Sequence, residues 1–344
     1  MVIGVGMVSH ALRAGLTLLR SADGAQVAAL GNQGHRRQSR HIYGATLTRS
    51  SPHRRCWLRA MLTGFRRPRL WDDCRLHHPS PFSAVMYNMA QTNSTQPREV
   101  NVTIERIDYQ AGSVTGKGAL IWNDKASGRR PLLLVMTNWL GVTENAIKRA
   151  QKMASDKYVA FVGCMYGEGK TCEGPPTSQE WMMAVRADRV EGRKRVNAAL
   201  ATMVTEANKR GIGDSSKKAA VGFCFGGGNV LELARSGAEI DAAVCLHGDL
   251  QTTMPAKKGD IKAAVFVIHG SKDPVAPKAD RDALEAEMDG AGANWQMLDF
   301  GGRLHSFAEE ETMMKDIAEF NAPAAFQTYR MLDDFIQDAF NKKL

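Results

Sequence analysis

The sequence predicts an α/β fold: a mostly parallel central sheet with helices on both faces. Three observations predict it. Short continuous apolar runs such as Leu132-Leu133-Leu134-Val135-Met136 read as strands buried on both sides. Longer segments of helical composition separate these runs, and strand–helix alternation indicates parallel pairing. One run then opens straight into a glycine-rich turn, Gly222-Phe223-Cys224-Phe225-Gly226-Gly227, with a helix-like segment behind it.

In chain order, Asn101 to Asp108 alternates apolar and polar residues and reads as a strand. Gly118 to Trp122 pairs with it as an antiparallel edge hairpin. Pro131 to Met136 is the first buried strand. Thr143 to Ser155 reads as a helix with Thr143 as its cap. Tyr158 to Gly163 is the next buried strand. Residues 164–180, with two Cys and Pro175-Pro176, read as a loop over the site. Glu180 to Arg210 reads as one long helix. Lys218 to Phe223, Asp241 to Leu246, Ala263 to His269 and Trp295 to Phe300 are the remaining strands. Pro277 to Gly290 and Ala324 to Phe340 are the remaining helices.

The glycine-rich turn carries chemistry. A nucleophile on a sharp strand-to-helix turn needs small neighbours on both sides, and here the central residue is Cys224. The dipole of the following helix favours negative charge on such a sulfur. Alone, a Cys between glycines equally reads as a buried strand end. Two later segments add to it. Val265 to Gly270 is a β-branched run followed by Asp273 in a turn fixed by Pro274, and Trp295 to Gly302 leads to His305. Each stands just past a strand, on the edge where open α/β sheets keep their sites. Singly, Asp273 is a turn residue and His305 is ambiguous. In the order Cys224, Asp273, His305 they form a nucleophile–acid–base set. By the same logic Phe225 and Trp139 supply oxyanion-hole N–H groups.

These motifs, G-F-C-F-G-G, H-G-S-K-D-P-V-A-P and G-G-R-L-H-S-F, resemble those of the dienelactone hydrolase family, α/β-hydrolases with a Cys nucleophile. The resemblance runs from about Val102 to Phe335. It implies a Cys224–His305–Asp273 triad that cleaves an ester or lactone of a small substrate through a thioester acyl-enzyme, with no metal or organic cofactor. A thioesterase or acyl transferase on the same scaffold, or a non-catalytic binding protein, are the alternatives. Two positions depart from the family pattern. Asn138 stands where the family has a Glu that contacts the resting thiol; either His305 alone generates the thiolate, or Asn138 donates a hydrogen bond to the oxyanion. Glu309 stands where the family has an Arg that holds a substrate carboxylate, so such a carboxylate is expected to be repelled. Arg186 or Arg189 either replaces that Arg or is a solvated helix residue. Asn138, Arg186 and Phe307 are expected at the substrate pocket.

Charge and cysteine usage narrow the partners. The chain has 344 residues and a net charge of +9. Residues 1–85 hold 13 Arg, no Lys and 3 Asp, so the remainder is almost neutral, with no basic stripe suited to nucleic acid. Six Cys at irregular spacing, without C-x-x-C, argue against zinc or redox motifs and suit a reducing cytoplasm. No apolar run is long enough for a membrane span. The expected species is a monomer or homodimer. Residues 1–88 are expected to be a basic segment of low order, ahead of a domain over 89–344. Such a segment is a start-site artefact with the true start at Met86 or Met89, a transit peptide, or a basic arm. Gly167-Glu168-Gly169-Lys170-Thr171 imitates a phosphate-binding loop, but Cys164 stands where that motif needs its first Gly. His247 and His269, each before a Gly, read as strand-end packing groups, and Cys245 as core.

Overall fold

Strands that must bury both faces have to be apolar along nearly their whole length, and four of the expected ones are. In the computed structural model, which describes residues 102–311 and 314–344, β4 (Val159–Gly163), β6 (Ala242–Leu246) and β7 (Ala264–Gly270) are buried along their whole length, and β3 (Arg130–Met136) nearly so. The expected basic segment over 1–88 lies outside the described residues. With β1 (Val102–Ala111), β2 (Val114–Asn123), β5 (Gly213–Phe223) and β8 (Trp295–Phe300) these strands form one sheet, ordered β1-β2-β4-β3-β5-β6-β7-β8. The β1–β2 hairpin is antiparallel, and β2 joins β4 antiparallel; all the other pairings are parallel.

The two faces carry separate cores. In β3, Leu132, Leu134 and Met136 face α3 (Arg189–Lys209) and α4 (Phe225–Arg235), in a cluster with Phe161, Met203 and Val230. Leu133 and Val135 face the other way, toward α1 (Glu144–Ala154) and α6 (Ala322–Phe340), in a cluster with Ile147, Phe223 and Phe335. Each fully buried side chain of this size contributes roughly 1.5–3 kcal/mol.

Local signals set the helix ends. Thr143 caps α1 as expected, accepting from the Ala146 N–H at 3.2 Å. The long helix expected over Glu180–Arg210 is two helices, α2 (Thr177–Ala187) and α3, because Asp188 leaves the helical region (φ −119°, ψ 82°) and caps α3 through the Glu191 N–H. The last helix starts before Pro323, not after it; Asn321 caps it and Pro323 fits in its first turn, where no N–H donor is needed. The helix α5 (Lys278–Ala291) lies between β7 and β8.

Strand order reverses between β3 and β5, since β4 lies on the outer side of β3. Such a reversal opens a crevice at the carboxyl ends of the two strands. The loop after β3 and the turn after β5 therefore meet there. The meeting is tight: a Cβ on Gly226 would lie 2.3 Å from the Met136 carbonyl oxygen, and one on Gly222 would lie 2.1 Å from the Gly226 carbonyl oxygen. Both obstacles are backbone, so neither can swing aside. Gly222→Ala is expected to cost about 3 kcal/mol or more, read as a large fall in Tm by circular dichroism; an unchanged Tm would mean that the turn relaxes freely.

Candidate active site

Cys224 occupies the turn between β5 and α4 with φ 52° and ψ −119°, a conformation that non-glycine residues rarely adopt. The turn is held by its own backbone. The Cys224 N–H is shared between the Leu246 carbonyl at 3.0 Å and Nδ1 of His247 at 3.3 Å, while the Cys224 carbonyl accepts from the Gly227 N–H at 2.9 Å. The residue is partly exposed, so the sulfur stands at the surface of the crevice rather than in the core.

Asp273 and His305 come to the same edge from the ends of β7 and β8. Asp273 closes an Asx turn, its Oδ1 accepting from the Val275 N–H at 2.8 Å. Its Oδ2 lies 2.8 Å from Nδ1 of His305. An ionised carboxylate only accepts, so that Nδ1 carries the proton and Nε2 is turned to the other side. The His305 loop is pinned by its own backbone, with N–H to Ile317 at 3.0 Å and carbonyl to Glu319 at 3.1 Å. Burial alone would raise the Asp273 pKa, but His269 and His305 overcome it and hold the carboxyl well below the usual range. Burial alone would lower the His305 pKa, but negative charge on Cys224 and the Asp273 carboxylate raise it well above the ordinary value. Nε2 of His305 is buried on the side of Cys224, the sulfur that contributes to raising its pKa, and makes no other hydrogen bond among the described residues.

The model of the dienelactone hydrolase family matches residues 118–340. The chain belongs to the dienelactone hydrolase family. Members of this family are hydrolases acting on ester and lactone bonds of small molecules, and so is this chain. It is 22% identical to a Synechocystis protein provisionally named a carboxymethylenebutenolidase, over 62% of the chain and 87% of that protein. An uncharacterised Caenorhabditis elegans protein is 28% identical over 37% of the chain and 83% of its own length. Among solved structures, one named m3DLH superposes with a TM-score of 0.64 at 28% identity, covering 70% of this chain and 99% of that one. A dienelactone hydrolase-like promiscuous phosphotriesterase from metagenomic libraries superposes at 0.63 with 30% identity, covering 69% and 98%.

Within this family frame, two histidines read as packing groups do more than pack. His247 is fully buried, and its Nδ1 accepts from the nucleophile's N–H, which places the neutral ring's proton on Nε2. It stands edge-on to His305 with ring centres 5.3 Å apart. Burial and the neighbouring His305 charge hold its pKa well below the ordinary value, so it stays neutral. His269 is also fully buried, with Nδ1 3.6 Å from Asp273 Oδ2. Their common signal was legible: His247 follows β6, the strand beside the nucleophile's, and His269 stands near the end of β7, the next strand along the same edge.

Other expected site residues fall differently. Phe307, expected in the pocket, is fully buried against His247 and Phe300, at 5.6 and 5.2 Å between ring centres, and cannot touch substrate. Glu309, expected to repel an anionic substrate, is fully buried and paired with Arg149 at 3.1 Å, so its charge is compensated inside the protein. Arg186 is not a solvated helix residue. Its Nε lies 2.9 Å from Asp249, which Arg189 also contacts at 3.2 Å, so two guanidinium groups share one carboxylate. Asn138 spends its amide on Glu309 (2.6 Å) and on the Leu140 N–H (3.0 Å). The N–H groups of Trp139 and Phe225 have no hydrogen-bond partner among the described residues.

The segment after β4 supplies an aromatic wall. Tyr166 stacks on Phe225 (5.6 Å, 6° between planes), meets Trp181 edge-on, and donates to the Trp139 carbonyl at 3.0 Å. Cys172 is tied to the same carbonyl, whereas Cys245 is core, its thiol pushed up to about 12 by burial. A separate cavity of about 900 Å³ lies between α1 and α6, lined by none of Cys224, Asp273 or His305. Among the described residues no helix is long and apolar enough to cross a membrane.

The opposite shifts of the two neighbouring imidazoles give a direct test. Side-chain nitrogen NMR at pH 7 is expected to find His305 protonated on both nitrogens and His247 neutral with its proton on Nε2. Asp273→Asn is expected to lower the His305 pKa, because its charge partner is gone. Equal titration of the two rings near the ordinary histidine value would overturn this electrostatic picture.

Proposed function

We propose that this hydrolase works by covalent catalysis through Cys224, His305 and Asp273. The observation that carries the reading is the buried His305–Asp273 pair at 2.8 Å, set beside a strained Cys turn on one sheet edge. The Cys224 thiolate attacks the carbonyl carbon and the carbonyl electrons move to oxygen. The N–H groups of Phe225 and Trp139 hold that oxyanion. Collapse breaks the C–O bond, and the departing alkoxide takes the proton from Nε2 of His305, leaving a thioester. His305, now neutral, takes a proton from water as its oxygen attacks the thioester carbonyl. The second collapse releases the carboxylic acid and restores the thiolate–imidazolium pair. Asp273 orients the ring and stabilises its charged form throughout.

The substrate is a small ester or lactone lying against Tyr166, Trp181 and Trp139. The objection to an anionic substrate disappears with Glu309 buried and paired, while Arg186 and Arg189 together exceed Asp249 by one positive charge. The carboxymethylenebutenolidase relative makes a butenolide lactone the first substrate to try, and the phosphotriesterase relative makes a phosphotriester a second electrophile for the same thiolate. Four free thiols among the described residues fit a reducing cytoplasm, where we place the protein.

Cys224→Ala is expected to lower kcat/KM for 4-nitrophenyl acetate by about 10³-fold or more. His305→Gln is expected to lower kcat/KM about as far, since it removes both the group that generates the thiolate and the base that activates water. Full esterase activity in Cys224→Ala would refute the mechanism.

A further inference from the structure

We infer that Asn138, Glu309 and Arg149 form a buried clamp that positions the oxyanion loop against the nucleophile turn. This inference rests on the triad mechanism above. Its starting point is a charge in an expensive place. Glu309 is fully buried, only four residues past His305, and its N–H bonds the Ser306 carbonyl at 2.9 Å. Taking a carboxylate out of water costs several kcal/mol unless it is paired and hydrogen-bonded, and an apolar residue would fill the space at less cost. Packing therefore does not explain Glu309; directed bonding does.

One carboxylate oxygen, Oε2, makes both key contacts. Arg149 of α1 approaches it at 3.1 Å, and the Asn138 amide donates to it at 2.6 Å. The same Arg149 guanidinium lies 4.5 Å over the ring of Phe223, the residue immediately before Cys224. The Asn138 carbonyl oxygen in turn accepts from the Leu140 N–H at 3.0 Å, bracketing Trp139. Three parts of the site, distant in sequence, are thus joined through one oxygen: the strand end that carries the nucleophile, the loop that carries the base, and the loop that carries the Trp139 N–H. A donor shifted by a fraction of an ångström loses most of its effect on an oxyanion, and one such donor is worth about 10²–10³ in kcat. Asn138 is then a positioning residue: it reaches the reacting atoms through the peptide that it bends.

The test uses the full chain with Asn138→Ala, Glu309→Ala and Glu309→Gln, measuring kcat and KM on 4-nitrophenyl acetate, Tm, and the rate of Cys224 alkylation by iodoacetamide. Alkylation forms no oxyanion, so it reports on the thiol alone. Asn138→Ala is expected to lower kcat about 10- to 100-fold, with KM and alkylation rate within about twofold of wild type. Glu309→Gln keeps an oxygen acceptor for Asn138 and is expected to retain clearly more kcat than Glu309→Ala. The clamp is overturned if Asn138→Ala keeps wild-type kcat, if alkylation falls in step with kcat, or if Glu309→Gln is as poor as Glu309→Ala. Should Glu309→Ala not fold, Asn138→Ala decides alone, since it leaves the Arg149–Glu309 pair intact. Activity surviving in Cys224→Ala would strike the triad mechanism instead, whereas a dead Cys224→Ala beside an unaffected Asn138→Ala would strike only the clamp.

Discussion

The backbone turn at Cys224 is the constraint around which the rest of this molecule is arranged. A side-chain-bearing residue at φ 52° persists only where its surroundings over-determine it. Here they do so from three sides. Gly222 and Gly226 let β5, α4 and the end of β3 come within backbone contact, with no room for a methyl group at either position. The shared N–H bonds to Leu246 and His247 fix the turn to β6. The parallel pairing of β3, β5 and β6 then brings the loop after β3 alongside. Strain at one residue is thus held by central strands buried on both faces at this edge.

Electrostatics is arranged in the same layered way. The edge holds three buried histidines, and each is given a different part by its neighbours. His305 is held well above the ordinary histidine range by Cys224 and by Asp273, whose carboxylate faces its Nδ1. His247 stays neutral because burial and His305 both oppose a second positive charge. That neutrality matters for the turn: only an unprotonated Nδ1 can accept from the Cys224 N–H. Asp273 has to remain ionised for this division to hold. Its depressed pKa stabilises the fold above the ordinary carboxylate range and is lost only as pH falls well below it.

The parts of the site that were legible in the sequence are those written in turn chemistry. Glycines about Cys224, Pro274 after Asp273 and Gly301-Gly302 before His305 mark chain reversals at strand ends, and periodicity supplied the strands. What could not be read is burial inside loops. Phe307, Glu309, Glu310 and Glu311 follow one another in a segment without periodicity, so nothing local says that Glu309 goes inward while Glu310 stays exposed. Arg149 in turn stood on a helix whose spacing showed an inner face but not its partner across the chain. The split of the long helix was different, for its signal was present: Asp188 with Glu191 three residues on is an N-cap pattern, hidden within a run of good helix formers.

The placement of negative charge bears on which substrates such a site accepts. Read along the chain, Glu309, Glu310 and Glu311 form an acidic run beside the base and argue against any anion. In three dimensions that run is divided between Arg149, which takes Glu309 and Glu311, and Lys152, one turn further along the same face of α1, which takes Glu310. Three carboxylates meet two cations there, so this cluster keeps one negative charge in excess, shared between Glu309 and Glu311 at Arg149. The Arg186–Asp249–Arg189 cluster instead leaves one positive charge in excess at the ends of α2 and β6. Paired charges cancel within a few ångströms, so Glu309, 3.1 Å from Arg149, adds little field at a distance. The residue nearest the base, Glu309, is thus an internal bonding group and not a surface charge, the reverse of what the acidic run suggests in one dimension.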